Sequence, residues 1–129
     1  MFDSLKMGKK GENIAVFYLE NRGYKILGRN YHSRYGEIDI IAEKENCIVF
    51  VEVKTRYAGT PFIATEAVDT IKQKKIIKTA MMYLSQTSTG LQPRFDVIAV
   101  LFNKNIGRYN YTVDHIENAF EGVDFFETF

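Results

Sequence analysis

The chain has 129 residues and a formal charge of +1, with 46% apolar and 26% charged residues. These values are ordinary for a soluble globular domain with a real hydrophobic core. The single Cys47 excludes an intramolecular disulfide and is expected to be a small core residue. No apolar run approaches the ~18 residues needed to span a bilayer, and the N-terminus is polar. We therefore expect a cytoplasmic protein with no membrane partner.

A first helix is predicted from the N-terminus to about Arg22, where Gly23 would stop it. Its apolar stripe consists of Ala15, Val16 and Leu19, and Glu12 falls on the same side. Two interpretations of Glu12 stay open. It either points toward the end of the sheet as a third carboxylate of a site, or it is a first-turn glutamate favoured by the helix dipole.

Two apolar strands dominate the middle of the chain. Residues 36–42 and 47–54 are rich in β-branched residues and are separated by the polar turn 43–46. Because so short a connection leaves no room for a helix, the strands are expected to form an antiparallel hairpin. Both are apolar on both faces, so the sheet should be covered on each side. A first strand is predicted before them at residues 24–31.

The relative positions of the charged side chains in this hairpin depend on the length of its loop. With an even loop, Asp39 lies directly opposite Glu52. The same register places Glu37 opposite Lys54. Two carboxylates so close repel each other unless a cation lies between them, and a divalent metal would meet this need with the carbonyl of Val53 as a third oxygen. An odd loop would instead shift the register and separate the charges onto opposite faces.

A long helix is predicted over residues 66–86, with two unlike faces. Its core side consists of Ile76, Ile77, Ala80 and Leu84. The opposite face carries four lysines, Lys72, Lys74, Lys75 and Lys78. This run is either a solvated lysine face or a patch that follows the phosphates of a nucleic acid, whose affinity would then depend strongly on salt.

Two more strands are predicted after this helix, at residues 94–102 and 108–116. Because a helix precedes the first of them, it can run parallel to residues 49–54 through a crossover connection. Arg94 and Asp96 share a face of that strand and are expected to form a structural ion pair.

The resulting order is α-β-β-β-α-β plus a C-terminal strand, which is an α/β fold with a central mixed sheet flanked by helices. We expect one domain over residues 1–129, with an acidic aromatic tail at about 117–129. All 17 basic residues and 11 of the 16 acids lie in residues 1–108, which leaves +6 there and −5 in residues 109–129. The basic part suits a polyanionic partner.

Several short stretches together resemble a known family. They are Gly11-Glu12, Gly23-Tyr24, Asn30-Tyr31, Gly36-Glu37-Ile38-Asp39, Phe50 to Arg56, and Arg94 to Val97. Over roughly residues 8–120 the chain resembles the YraN-like family, small bacterial proteins predicted to be endonucleases and similar to archaeal Holliday-junction resolvases. The wider resemblance is to the PD-(D/E)XK nuclease superfamily, which implies a restriction-endonuclease-like core. Ile38 stands where a proline often precedes the aspartate in that superfamily.

The resemblance implies roles residue by residue. Asp39 matches the metal-binding aspartate, and Glu52 matches the acidic residue of the D/E-x-K element. Lys54 matches its lysine, and Glu12 matches the helical glutamate of resolvase-like members. Carboxylate oxygens of Asp39 and Glu52, with the Val53 carbonyl, are thus expected to hold Mg²⁺ or Mn²⁺. Glu12 would bind a second metal or a water on the metal.

Further charged residues complete the expected site. Glu37 would tune Lys54, or form a structural salt bridge. The candidate contacts to a nucleic-acid backbone are Lys9, Lys10, Arg56, Lys72 and Lys75. No motif that reads base edges is visible, so a preference for structured or branched DNA comes from the resemblance alone. A homodimer, with the tail at its interface, is compatible with the same resemblance.

Three functions compete at this point. The first is a metal-dependent endonuclease that hydrolyses phosphodiester bonds. The second is a nucleic-acid-binding module with the same fold that does not cleave. The third is a protein-interaction domain whose charges form a structural network and whose aromatic tail binds a partner. The set of Asp39, Glu52 and Lys54 favours the first, because a structural network has no need of an E-x-K arrangement beside a third carboxylate.

Overall fold

Two helices and a five-stranded sheet make up the computed structural model, which describes residues 4–57, 68–103 and 110–121. The elements are α1 Ser4–Asn21, β1 Lys25–Ser33, β2 Gly36–Lys44, β3 Cys47–Tyr57, α2 Thr70–Ser85, β4 Gln92–Asn103 and β5 Asn110–Phe120. The strand order is β1-β2-β3-β4-β5, with β3 and β4 parallel and the other neighbours antiparallel. This arrangement confirms the predicted α/β restriction-endonuclease-like core. Within the described ranges, neither helix combines the length and apolar character that a bilayer crossing requires.

Apolar side chains cover both faces of the sheet, as the two-sided strands predicted. Helix α1 packs over a fully buried cluster that includes Leu19, Ile40, Val51 and Ile98. Helix α2 packs over a second cluster that includes Ile41, Phe50, Ile77 and Val97. The central strands are therefore buried on each side, and charged side chains on them must lie at an end of the sheet or be paired.

Helix α1 ends where Gly23 was predicted to stop it. Gly23 has a φ of 86°, in the left-handed region that glycine adopts without a steric cost. Its amide donates to the carbonyl of Glu20 at 3.1 Å, and the amide of Tyr24 donates to the carbonyl of Leu19 at 3.0 Å. These two bonds form a Schellman motif, which satisfies the last carbonyls of the helix and turns the chain into β1.

Helix α2 begins later than predicted, after the N-cap residue Asp69, whose side chain accepts from the Lys72 amide at 2.8 Å. Val68, just before the cap, is buried against the second cluster, whereas Ile71 is 70% exposed. The aspartate cap explains this boundary, because its side chain satisfies an amide of the first turn. The start predicted at residue 66 lies outside the described residues.

Strand β5 continues to Phe120, four residues further than predicted, and its ring stacks on Phe95 with centroids 5.2 Å apart. The register with β4 shifts after Phe95, and Asn118 has a φ of 51°. This bulge turns the Asn118 amide toward Asp96, to which it donates at 2.9 Å. The rest of the predicted tail, residues 122–129, lies outside the described residues.

The predicted ion pair between Arg94 and Asp96 forms the centre of a larger buried network. Arg94 donates two hydrogen bonds to the carboxylate, at 2.9 and 2.8 Å, and a third to the Tyr24 hydroxyl at 2.6 Å. His115 Nε2 lies 2.7 Å from the same carboxylate. Burial alone would raise the pKa of Asp96, but the hydrogen bonds from His115, Arg94 and the backbone outweigh it and hold the pKa below its usual value.

Gly11 lies where α1 passes close to β3. A Cβ built there would overlap the Thr55 hydroxyl and lie 3.1 Å from the Thr55 Cβ. We therefore expect Gly11→Ala to lower the free energy of unfolding by about 1–3 kcal/mol, as overpacking typically does. Gly8→Ala is the matched control, because its new methyl group meets no atom within 4 Å and alanine favours a helix by about 0.5–1 kcal/mol.

Urea unfolding followed by far-UV circular dichroism measures both changes. Thr55→Ala in the Gly11→Ala background should restore part of the lost stability, because it removes the hydroxyl that the new methyl group meets. A Gly11→Ala protein as stable as Gly8→Ala would contradict close packing between α1 and β3.

Candidate functional site

The β2–β3 hairpin opens at the position where the sequence predicted a carboxylate pair. Its paired register runs from the turn to Ile40↔Val51, which confirms the even loop. The register ends there, one position before the expected pair of Asp39 and Glu52. The Asp39 carboxylate instead accepts the backbone amide of Val53 at 2.8 Å. A side chain thus takes the place of a strand carbonyl, and the two strands part around it.

The alternation of strand β2 is broken at Asp39. Ile38 packs in the α2 cluster and Ile40 in the α1 cluster, although residues two apart on a regular strand share a face. On the neighbouring strand β1, Asn30 has a φ of 52°. Asparagine tolerates this left-handed conformation better than most residues. The local twist carries Asp39 out of the regular pleat and toward the gap between β2 and β3.

Glu52 is the most buried acid of this gap, with 7% of its side chain exposed. It makes an ion pair with Lys72, which reaches across from the first turn of α2. Lys54, two residues along the same strand, places its Nζ 3.5 Å from the same carboxylate oxygen. Two ammonium groups therefore share one carboxylate, which explains how a charged residue is tolerated in the middle of β3.

Glu12 reaches the same region from α1, with 13% of its side chain exposed. Its Oε1 accepts from Arg29 Nε and from Asn30 Nδ2, each at 3.0 Å. Because α1 begins at Ser4, Glu12 lies two turns into the helix and not in its first turn. The first-turn interpretation is therefore wrong, and Glu12 points toward the end of the sheet. Its role as a third carboxylate of a site stays a prediction.

Glu37 lies opposite His32 of β1, with its Oε2 3.1 Å from His32 Nδ1, and half of its side chain is exposed. It lies beyond the last paired position of the hairpin, so the expected register pair with Lys54 is not part of the ladder. A salt bridge was the structural alternative for Glu37. The contact it makes is with a histidine of the neighbouring strand and is an ion pair only when that histidine is protonated.

These acids line one cleft of about 870 Å³. Its walls carry Glu12, Arg29, Asn30, Glu37, Asp39, Glu52, Val53, Lys54, Thr55 and Tyr57. Lys9, Arg56 and Lys72, three of the five candidate backbone contacts, line it too. Lys10 and Lys75 lie outside this lining. The structure thus brings together every carboxylate of the expected site, its lysine and the carbonyl of Val53.

The electrostatics of the cleft depend on Asp39. Burial, and then the negative charge of Glu52, raise the pKa of Asp39 to about 7, while the hydrogen bond from Val53 opposes the rise. Burial and the neighbouring Lys72 ammonium lower the pKa of Lys54. Burial also opposes the charge on Lys72, but its contact with Glu52 outweighs burial and raises the pKa of Lys72. Asp39 and Lys54 thus line the same cleft, and the pKa of each is shifted toward its neutral form.

A divalent cation would find oxygen ligands at Asp39, Glu52 and the carbonyl of Val53, the hard donors that Mg²⁺ and Mn²⁺ prefer. Across residues 4–57, 68–103 and 110–121, no three acidic, histidine or cysteine side chains are already gathered tightly enough to hold a metal. Glu12 is turned to Arg29, and Glu52 is held by lysines. The donor types fit a hard cation. Burial is the largest cause of the raised pKa of Asp39, and the negative charge of Glu52, which such a cation would neutralise, is the second.

Two cleft residues that contact Glu12 were not anticipated from the sequence. Arg29 and Asn30 hold Glu12, and Arg29 also donates to Asn13 on the outer side of α1 at 2.7 Å. The only sign of them in the sequence is the Asn30-Tyr31 pair within the resemblance. Lys72 was predicted as a phosphate contact, but its contact with Glu52 was not.

Comparison with known proteins identifies the family. The model of the family described as "Uncharacterised protein family UPF0102" matches residues 11–100. A UPF0102 protein of Persephonella marina is 46% identical over 122 residues, which cover 94% of this chain and 97% of the relative. One of Caldanaerobacter subterraneus is 47% identical over 115 residues, 88% of this chain and 93% of the relative. The chain therefore belongs to the UPF0102 family.

Proposed function

We propose that this protein is a metal-dependent endonuclease that hydrolyses phosphodiester bonds in nucleic acid, with structured or branched DNA as its substrate. The observation that supports this most is the convergence of Asp39, Glu52 and Lys54 in one cleft, where β2 and β3 part. The resemblance to PD-(D/E)XK nucleases matches the same three positions. The basic side chains of Lys9, Arg56 and Lys72 along the cleft suit a phosphate backbone.

The residues of the cleft would divide the work of hydrolysis. Asp39, Glu52 and the carbonyl of Val53 would hold Mg²⁺ or Mn²⁺, which supplies Lewis-acid activation of the phosphate and of the attacking water. Lys54, whose pKa is lowered, would accept or orient a proton of that water and offset charge on the phosphate oxygens. The water oxygen would bond to phosphorus as the P–O bond to the leaving strand breaks, and the leaving oxygen would take up a proton from solvent water, while the proton of the attacking water goes to Lys54. Glu12, positioned by Arg29, would orient the water from the α1 side.

A cleavage assay tests this proposal directly. Branched, flapped, single-stranded and duplex DNA, with the corresponding RNA, are incubated with Mg²⁺, with Mn²⁺ or with EDTA. We expect cleavage that requires the metal and that falls by at least about 100-fold in Asp39→Asn, Glu52→Gln and Lys54→Met. Glu43→Gln is the matched control, because it removes a carboxylate from the same strand as Asp39 but outside the cleft lining.

Each of the other outcomes of this assay would indicate a different function. Equal residual cleavage by the wild type and all variants would point to a contaminant and remove the enzyme proposal. Tight, salt-dependent nucleic-acid binding without metal-dependent cleavage would indicate the non-cleaving module. Neither binding nor cleavage of any nucleic acid would leave the protein-interaction domain.

A further inference from the structure

Lys72 occupies an unusual place for a surface lysine. It lies in the first turn of α2, where the helix dipole disfavours a cation. Its side chain nevertheless leaves the helix and makes an ion pair with Glu52 on β3. Lys75, one turn later on the same helix, is exposed and lies outside the cleft lining. The position of Lys72 is therefore specific to the cleft and not a general property of the lysine-rich face.

Glu52 cannot keep both of its ammonium partners and also bind a divalent cation. Lys72 and Lys54 approach the same oxygen, Oε1 of Glu52. A cation at that oxygen would stand at contact distance from both amines and repel them. Lys72 is the partner that can leave, because 42% of its side chain is exposed, compared with 15% for Lys54. Its long stem can carry the charge into the open part of the cleft.

We propose that Lys72 couples metal binding to nucleic-acid binding: a divalent cation displaces its ammonium from Glu52, and the released ammonium binds a backbone phosphate in the cleft. This inference rests on the proposed function, since it assumes the metal site at Asp39 and Glu52. Linkage makes the effect reciprocal, because a phosphate that draws Lys72 away from Glu52 frees that carboxylate for the metal. Without nucleic acid, Lys72 competes with the metal for Glu52. With nucleic acid, Lys72 binds a phosphate and leaves Glu52 to the metal.

Calorimetric titration with Ca²⁺ tests this coupling, because Ca²⁺ takes the same carboxylate and carbonyl oxygens as Mg²⁺. Each protein is titrated alone and with a saturating short DNA duplex, whose integrity is checked afterwards. For the wild type we expect Ca²⁺ to bind at least about fivefold more tightly when DNA is present. Lys72→Met should bind Ca²⁺ about 3- to 10-fold more tightly than the wild type in the absence of DNA, because a competing charge is gone.

The coupling itself distinguishes the variants. In Lys72→Met, the gain in Ca²⁺ affinity on adding DNA should shrink by at least about threefold compared with the wild type. Lys25→Met, which loses an exposed lysine from β1 outside the cleft lining, should behave as the wild type in both titrations. Lys72→Arg, which keeps the charge, should restore the competition and most of the coupling.

Two results would overturn the inference, and they differ in what else they remove. If the wild type binds Ca²⁺ but Lys72→Met has the same affinity and the same coupling, Lys72 is not the link and the metal site stands. If the wild type binds neither Ca²⁺ nor Mg²⁺, with or without DNA, the metal site fails and the inference fails with it.

Discussion

Asp96→Asn is expected to lower the free energy of unfolding by about 3–5 kcal/mol at pH 7, a loss of about 10–20 °C in the melting temperature. The Asp96 carboxylate is fully buried and accepts hydrogen bonds from the Arg94 guanidinium and the Asn118 amide. An asparagine keeps the volume but turns an NH₂ group toward donors. Arg94 then loses its buried counter-charge and keeps only the exposed Glu117 carboxylate, 3.9 Å away. Urea unfolding followed by far-UV circular dichroism measures the loss.

Asp114→Asn is the control, because Asp114 is an exposed carboxylate on β5 and its change should stay within about 0.5 kcal/mol. The pH dependence gives a second check. The pKa of Asp96 is lower in the folded protein than the 3.8 of an ordinary aspartate, so the unfolded chain takes up the proton first as the pH falls. The stability that Asp96 contributes is therefore complete above about pH 4 and lost below it, where the variant and wild type should converge. A loss under 1 kcal/mol at pH 7 would show that this network adds little.

Local chemistry was sufficient to predict the hairpin and the helix end. The two-residue turn sets the pairing of β2 with β3 through Ile40↔Val51, which is the even-loop register, one of the two alternatives that the sequence offered. Gly23 stops α1 through its own conformational freedom. The Arg94–Asp96 pair followed from strand alternation alone. Each of these features depends on residues that are neighbours in the chain or across one turn.

The rest of the cleft depends on how separate elements meet. The twist that moves Asp39 out of the pleat accompanies the left-handed conformation of Asn30 on a different strand. The alternation of residues along β2 alone therefore cannot predict it. A helical projection places Lys72 on the face away from the core of α2. The contact with Glu52 is instead set by where the first turn of α2 lies relative to the middle of β3. Similarly, Arg29 reaches Glu12 only because β1 passes beside α1.

Asp39→Asn should make the protein more stable at pH 8, by about 2–4 kcal/mol, although it removes a group of the proposed site. The folded protein holds the proton of Asp39 up to about pH 7, whereas an ordinary aspartate releases it near 3.8. Between these values the folded state binds more protons, so stability falls as the pH rises and the full cost is present above about pH 7. Asparagine removes that cost and keeps an oxygen to accept the Val53 amide.

Unfolding by urea at pH 5 and pH 8, with and without Mg²⁺, distinguishes the electrostatic cost of ionised Asp39 from its proposed role in binding a cation. The advantage of Asp39→Asn should be largest at pH 8 and small at pH 5, where the wild-type carboxyl is protonated. Mg²⁺ should stabilise the wild type at pH 8, do so less at pH 5 because a proton must leave, and leave Asp39→Asn unchanged. Glu37→Gln, at the half-exposed rim of the same cleft, should change stability by no more than about 0.5 kcal/mol. An Asp39→Asn protein less stable than the wild type at pH 8, or stabilised equally by Mg²⁺, would contradict this account. Ionised Asp39 would then carry no electrostatic cost that a bound cation relieves.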